Sequence, residues 1–257
     1  MQLNICHLYP DVMNLYGDRG NLIALKQRAR WRGITVQVHP VRAGQKETVP
    51  QCDIILLGGG EDRSQQAVFP DLMARKGMLE ETVSRGGVVL GICGGYQLLG
   101  HSYRTLDGQE LSGLGLLDVV TVAGERRLTG NVVIETSLGG EHRALVGFEN
   151  HAGRTRLGEN ARALGAVVAG HGNNGEDGGE GACQGRVFGT YLHGALLPKN
   201  PWFSDQLLRL ALQRRYGDVE LLPLDDTLEE LAHRGVKERV VKEKGPSAAG
   251  TFRRQEH

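Results

Sequence analysis

The sequence predicts an α/β fold with a mostly parallel sheet and helices on both faces. Three observations predict it. Short apolar strand-like runs alternate with helical segments through the first half, the pattern of strand–helix–strand crossovers. The run Asp53-Ile54-Ile55-Leu56-Leu57 is continuously apolar, as a strand buried on both faces must be. Two such runs end in glycine clusters, Gly58-Gly59-Gly60 and Gly91-Ile92-Cys93-Gly94-Gly95. In open parallel sheets the active site lies outside the carboxyl ends of the strands, which is where both clusters fall. At 257 residues the chain accommodates one large α/β domain, or one domain with a small appendage.

The elements follow in order. Residues 3–8 read as the first strand, followed by turn residues at Tyr9-Pro10-Asp11 and Tyr16-Gly17-Asp18-Arg19-Gly20. A helix is expected from about Asn21 to Trp31, with Leu22, Ile23, Leu25 and Ala29 on its apolar side and Gly33 as its stop. Residues 34–38 alternate as a strand, residues 53–57 form the buried strand, and a helix near 71–85 leads to the strand before Cys93. The second half is richer in strands, at residues 116–122, 131–135, 145–148, 165–169 and 185–191, with a glycine-rich loop or hairpin at 171–179. Asn200-Pro201 is a cap and first-turn pair for a helix carrying Trp202, Phe203, Leu207, Leu208 and Leu212. After Pro223, Asp226-Thr227-Leu228-Glu229-Glu230 offers a capping box for a last charged helix reaching about Lys244. Residues 245–257 read as a disordered tail. Two units follow, a catalytic domain over 1–215 and a charged helix with its tail over 216–257.

Composition narrows the function. Thirty basic and thirty acidic residues cancel, so no basic excess points to nucleic acid or an anionic membrane. The 38 glycines are about twice average usage and are dispersed among apolar runs, a sign of many tight turns. Cys6, Cys52, Cys93 and Cys183 lie far apart with no C-x-x-C pair, so neither a metal site nor a disulfide framework is expected. The N-terminus has no basic segment followed by a long apolar core, so no signal peptide is read there. Residues 86–103 carry no charge, but six of the eighteen are glycine and Gln97, His101 and Ser102 break the apolar surface. No membrane span is read there. A soluble cytoplasmic protein is expected.

The chemistry centres on Cys93. A strand, a tight turn and a helix start place this one reactive side chain at the apex of a Gly-x-nucleophile-x-Gly elbow. The flanking glycines keep bulk away from a turn residue held in a strained conformation. A helix N-terminus favours the thiolate form of a cysteine, and the Gly94 N–H is available as an oxyanion donor. A buried core cysteine is the plain alternative, but a core strand gains nothing from three glycines in five residues. Gly60, in the triplet after residues 53–57, is the candidate second donor, since two such donors hold a tetrahedral intermediate. A phosphate loop is the alternative there, but no Gly-Lys-Ser/Thr follows. A cysteine nucleophile needs a base. His193 follows the apolar run Val187-Phe188-Gly189-Thr190-Tyr191-Leu192 and precedes Gly194; His151, in Gly147-Phe148-Glu149-Asn150-His151, competes with it.

The glycine triplet, the Gly-Ile-Cys-Gly-Gly-Tyr-Gln elbow and Tyr191-Leu192-His193-Gly194 together resemble the class I glutamine amidotransferases, in their cobyric-acid-synthase-like branch. Tyr9–Asn21, Arg127–Asn131, Gly147–Thr155 and His171–Gly178 narrow the likeness to the glutaminase subunits of lipid II isoglutaminyl synthases, the GatD family, over roughly residues 1–215. The resemblance implies the three-layer class I amidotransferase fold. It implies L-glutamine as substrate, Cys93 as nucleophile, His193 as general base and acid, and Arg127 as a glutamine-binding residue. It implies a heterodimer with a MurT-like Mur-ligase subunit, which uses ATP to amidate the D-glutamate of the peptidoglycan stem. The glutaminase itself would need no metal or organic cofactor. Arg127 has a plain alternative as a solvated surface residue, although a free amino acid does call for a cation at its α-carboxylate.

Most class I domains carry His-x-Glu, and here the position two after His193 is Ala195. Asp18, Glu61 and Glu149 lie in motif loops without the family spacing, so a carboxylate supplied by the partner subunit is expected to complete the site. Three other functions share parts of this pattern. A corrinoid amidase uses the same glutaminase chemistry, but its fused synthetase domain does not fit in 257 residues. A cysteine hydrolase with the same elbow would act without a partner. A degenerate scaffold that only binds a partner fits poorly with the presence of both Cys93 and His193.

Overall fold

The computed structural model describes residues 1–45 and 50–243. The expected tail at 245–257 lies outside the described residues. The first half runs β1 (Gln2–Leu8), α1 (Arg19–Trp31), β2 (Thr35–Val41), β3 (Ile54–Leu57), α2 (Asp62–Ala74), α3 (Lys76–Ser84), β4 (Val88–Ile92) and α4 (Gly94–Leu99). Then come β5 (Ser102–Arg104), β6 (Glu110–Ser112), β7 (Val119–Thr136), β8 (Arg143–Leu157), β9 (Gly165–Ala169), β10 (Gly179–Glu180), β11 (Ala182–Gln184) and β12 (Val187–Thr190). Three helices close the described chain: α5 (Leu196–Lys199), α6 (Pro201–Tyr216) and α7 (Thr227–Glu243).

The fold is the expected α/β class. Its first sheet has the order β11-β12-β4-β3-β1-β2, parallel except for β11. β3 and β4 are buried along their whole length, which explains their unbroken apolar sequences. Register puts the functional ends of four adjacent strands side by side. Leu8 pairs with Leu57, Leu57 with Gly91, and Thr190 with Ile92, so β1, β3, β4 and β12 release their following loops at one edge.

The second sheet, β10-β9-β7-β5-β6 with β8 also on β7, is largely antiparallel. The sequence reads residues 116–122 and 131–135 as separate strands; the structure makes them the two ends of β7. A bulge between Ala123 and Leu128 interrupts its pairing with β8, which is why the alternation fades there. The helix expected near 71–85 is two helices, α2 starting at Asp62 and running through Pro70, and α3 after a break at Arg75. Pro70 hides the first of them from a reading that treats proline as a helix boundary.

The caps also differ from expectation. Pro201 does open α6, but the Asn200 side chain bonds Val146 and the Leu196 carbonyl instead of capping the helix. The Asp226 carboxylate takes both terminal nitrogens of the buried Arg28 guanidinium at 2.6 and 2.7 Å, tying the start of α7 to α1. Cys6 and Cys52 form a disulfide with Cα atoms 5.9 Å apart, where the sequence suggested no disulfide framework. Their 46-residue separation in sequence is closed by the adjacency of β1 and β3. Cys93 and Cys183 are free.

Candidate active site

Cys93 stands between β4 and α4 with φ 49° and ψ −105°, the strained left-handed backbone that an elbow requires of a side-chain-bearing residue. Its amide donates to the Thr190 carbonyl at 2.8 Å, locking the elbow to the end of β12. A Cβ on Gly94 would lie 2.5 Å from the Gly60 carbonyl oxygen and 2.9 Å from the Gly60 nitrogen, so any other residue there would push the two loops apart. No loop or turn acceptor takes the amide proton of Gly60 or Gly94 among the described residues. Beneath them, the Gln65 side-chain amide donates to the Gly60 carbonyl at 3.3 Å and to Gln97 at 2.8 Å.

His193 is fully buried two residues beyond the loop's Tyr191, held by a two-way backbone bridge to Phe148. Its Nδ1 lies 3.5 Å from Asp18 Oδ1, an ion-pair contact that is long for a hydrogen bond. The other Asp18 oxygen accepts the Gly59 N–H at 2.7 Å, which fixes the carboxylate. Gly59 has no room for a side chain, since a Cβ would sit 2.7 Å from the His193 ring. Neither ring nitrogen of His193 has a hydrogen-bond partner among the described residues. Burial pushes the His193 pKa down, but Asp18 and the Cys93 sulfur outweigh it and raise it to about 10. The arrangement is a sulfur nucleophile, an imidazole with spare bonding capacity and a buried carboxylate behind it.

The sequence offered Asp18 as one of three carboxylates in motif loops but did not assign it this role. The expectation that a partner subunit must supply the acid is corrected: Asp18 of this chain faces His193 directly. Its pairing with His193 was hidden because the two lie 175 residues apart; the signal was its place in the loop after the first strand of a parallel sheet. The competitor, His151, is also buried, but its Nδ1 bonds the Gly153 carbonyl at 2.9 Å and its ring lies flat on Tyr191 with centroids 3.5 Å apart.

Arg127 is exposed at the bulge of β7. Its Nε donates to Asn150 Oδ1 at 2.6 Å and its Nη2 to the Asn150 carbonyl at 2.7 Å. The Asn150 amide nitrogen in turn donates to the Tyr16 hydroxyl, and the Tyr16 ring lies edge-on to His193 with centroids 4.9 Å apart. Thus Cys93, His193, Gly60 and Gly94 lie together at one edge of the sheet, while Arg127 reaches them through Asn150 and Tyr16, two residues the sequence reading did not single out. No group of three or more histidine, cysteine or acidic side chains arranged for a metal ion occurs among the described residues. No described helix is long and apolar enough to cross a membrane. A groove of about 1010 Å³ lies elsewhere, between the 138–144 turn, α6 and α7, and includes none of these side chains.

Residues 4–201 match the CobB/CobQ-like glutamine amidotransferase domain. Over 243 residues the chain is 43% identical to the lipid II isoglutaminyl synthase (glutamine-hydrolyzing) subunit GatD of Staphylococcus aureus, covering 95% of this chain and 98% of that protein. It is 40% identical over 231 residues to the subunit of the same name from Streptococcus pneumoniae, covering 89% and 88%. A crystal structure of a glutamine amidotransferase superposes with a TM-score of 0.53 at 18% identity, over 80% of this chain and 98% of that one, a likeness of fold.

Proposed function

The chain belongs to the CobB/CobQ-like glutamine amidotransferase family, and from that premise we propose that it is the glutamine-hydrolysing subunit of a lipid II-amidating enzyme. The observation that carries the reading is the convergence of Cys93, His193 and Asp18 at the aligned ends of β4, β12 and β1. The relatives named above support the substrate class and the end use.

The mechanism follows from the roles. The Cys93 thiolate attacks the side-chain amide carbon of L-glutamine, and the Gly60 and Gly94 N–H groups receive the oxyanion. As the carbon–nitrogen bond breaks, the His193 imidazolium gives its proton to the departing amine, releasing ammonia and leaving a Cys93 thioester. The neutral imidazole then takes a proton from water; the resulting attack breaks the thioester, frees glutamate and restores the thiolate–imidazolium pair. Asp18 holds the ring and stabilises its positive charge, the part an orienting acid plays in a triad. Arg127 binds the α-carboxylate of the amino acid. Written this way, the hydrolysis uses no metal or organic cofactor.

The ammonia passes to a partner of the Mur-ligase type, MurT-like, that uses ATP to convert the D-glutamate of lipid II to D-isoglutamine. The setting is cytoplasmic. The test supplies L-glutamine labelled with nitrogen-15 at its side-chain amide to the full chain, alone and with a Mur-ligase-type subunit, ATP and lipid II. Glutamate release and label in the lipid II amide are expected. Glutamate release without transfer would break the assignment of the acceptor, and no glutamate under any condition would break the glutaminase reading.

A further inference from the structure

Tyr16 is the residue of this site that no part of the mechanism above uses. Its backbone is left-handed, φ 52° and ψ 26°, inside a short 3-10 turn, a costly conformation for a bulky aromatic residue. The surrounding backbone holds it there. The Leu15 amide bonds the Gly59 carbonyl at 3.1 Å, Asp18 bonds Leu15 at 3.2 Å, and the Arg19 amide bonds the Asn14 side chain at 2.7 Å. The ring is 47% exposed, so core packing does not account for its position. One edge meets His193 and the other meets Phe148, with centroids 4.9 and 6.1 Å away.

The direction of the hydrogen bonds gives Tyr16 its role. Arg127 has only donors, so Asn150 must turn its carbonyl oxygen toward Arg127, where Thr129 also donates to it at 3.2 Å. The Asn150 NH2 therefore points at Tyr16 and donates to its hydroxyl oxygen. The hydroxyl proton has no acceptor among the described residues and is free to donate to a substrate group. An unbroken path runs Arg127–Asn150–Tyr16–His193.

We propose that Tyr16 is a positioning residue that couples recognition of the free α-carboxylate at Arg127 to the placement of His193, and so makes the site selective for a free amino acid over a glutamine side chain whose carboxyl is blocked. The inference rests on the glutaminase reading and deepens it. Arg127, Thr129 and Tyr16 already hold the Asn150 side chain without substrate. A carboxylate on Arg127 adds a charged acceptor for the Tyr16 hydroxyl proton and so holds the ring edge against His193; with the carboxyl blocked, that acceptor is lost.

The test compares L-glutamine with L-glutaminamide, its α-carboxamide, in the full chain. Tyr16→Phe keeps the ring and removes the hydroxyl; it is expected to lower kcat/KM for glutamine about tenfold, the scale of one hydrogen bond to a charged group. Turnover of glutaminamide should change by less than about twofold. Asn150→Ser cuts the same path from its other side and should give the same pattern, while adding Tyr16→Phe to Arg127→Lys should cost nothing further. Equal losses on both substrates, or full additivity with Arg127→Lys, would overturn the coupling and leave the glutaminase reading standing. A wild-type chain inert toward glutamine would take both down.

Discussion

His193 and His151 are both buried, both close to a carboxylate and connected across the β8 edge, yet their surroundings differ in what they leave unspent. Around His151, Glu149 gives its oxygens to His171 Nδ1 at 2.6 Å and to the amides of His171 and Gly172 at 2.7 and 2.9 Å. Burial works to raise the Glu149 carboxyl, but His151, His171 and these amides hold its pKa below the usual value. His151 has one nitrogen on a carbonyl and a ring stacked on Tyr191; burial lowers its pKa despite Glu149. Around His193 both ring nitrogens are open, Asp18 stands behind it and the pKa is raised to about 10. His151 keeps one ring nitrogen, Nε2, without a hydrogen-bond partner, 3.9 Å from Glu149, whereas His193 keeps both, with Asp18 and the Cys93 sulfur acting on its ring. The difference lies in bonding capacity rather than in burial, since both rings are almost fully covered.

Deleting each ring in turn separates the two histidines. His193→Ala is expected to lower glutamine turnover by at least about a thousandfold, because base and nucleophile act as a unit. His151→Ala should leave turnover within about tenfold and instead destabilise the fold by about 1–3 kcal/mol, through the lost stacking on Tyr191 and an unpaired Gly153 carbonyl. Steady-state kinetics with thermal melts of both variants decide it; the reverse pattern would make His151 the base.

Asp18→Asn is the next largest effect. An amide removes the negative charge that favours the imidazolium, so the His193 pKa should fall from about 10 toward or below its ordinary 6.5. Turnover should fall by roughly 10²–10⁴-fold, the loss seen when an orienting acid is neutralised. A titration of the His193 ring by NMR in wild type and variant reads the shift directly. An unchanged titration and unchanged turnover would return the acid to a partner subunit.

The smallest expected effect tests a second buried carboxylate, Glu180. It accepts from Thr190 Oγ1 at 3.0 and 3.1 Å and from the Tyr191 amide at 2.7 Å, bracing the strand end that leads to His193. Burial raises its pKa to about 7, against the pull of those donors. A carboxyl whose folded pKa is raised favours the fold when protonated. Its contribution is therefore full below about 4.5, the unfolded value, and lost as pH rises through 7. The shift corresponds to at most about 3 kcal/mol. Glu180→Gln should remove this fall, which denaturant melts at pH 5 and pH 8 would show as a smaller difference than in wild type.

Much of the site was legible in the sequence because its signals are local. The elbow around Cys93 and the glycine triplet each sit within five residues, and His193 ends an apolar run. Asp18 was legible only as one of three candidate carboxylates, and Asn150 and Tyr16 not at all, because what makes them important is the adjacency of β1, β4 and β12 and the bulge in β7, all of them pairings between distant segments. The disulfide between Cys6 and Cys52 escaped for the same reason. The long β7 was split in the reading because a bulge interrupts the two-residue period without ending the strand.

In the proposed reaction Cys93 carries the acyl group of glutamine. A diazo-ketone analogue of L-glutamine, an electrophile directed by the same recognition, tests it most directly when the labelled chain is digested and its peptides are weighed. One adduct per chain is expected on Cys93, prevented by excess L-glutamine and absent from Cys93→Ser. Labelling at Cys183 or at the Cys6–Cys52 pair with Cys93 untouched would contradict it.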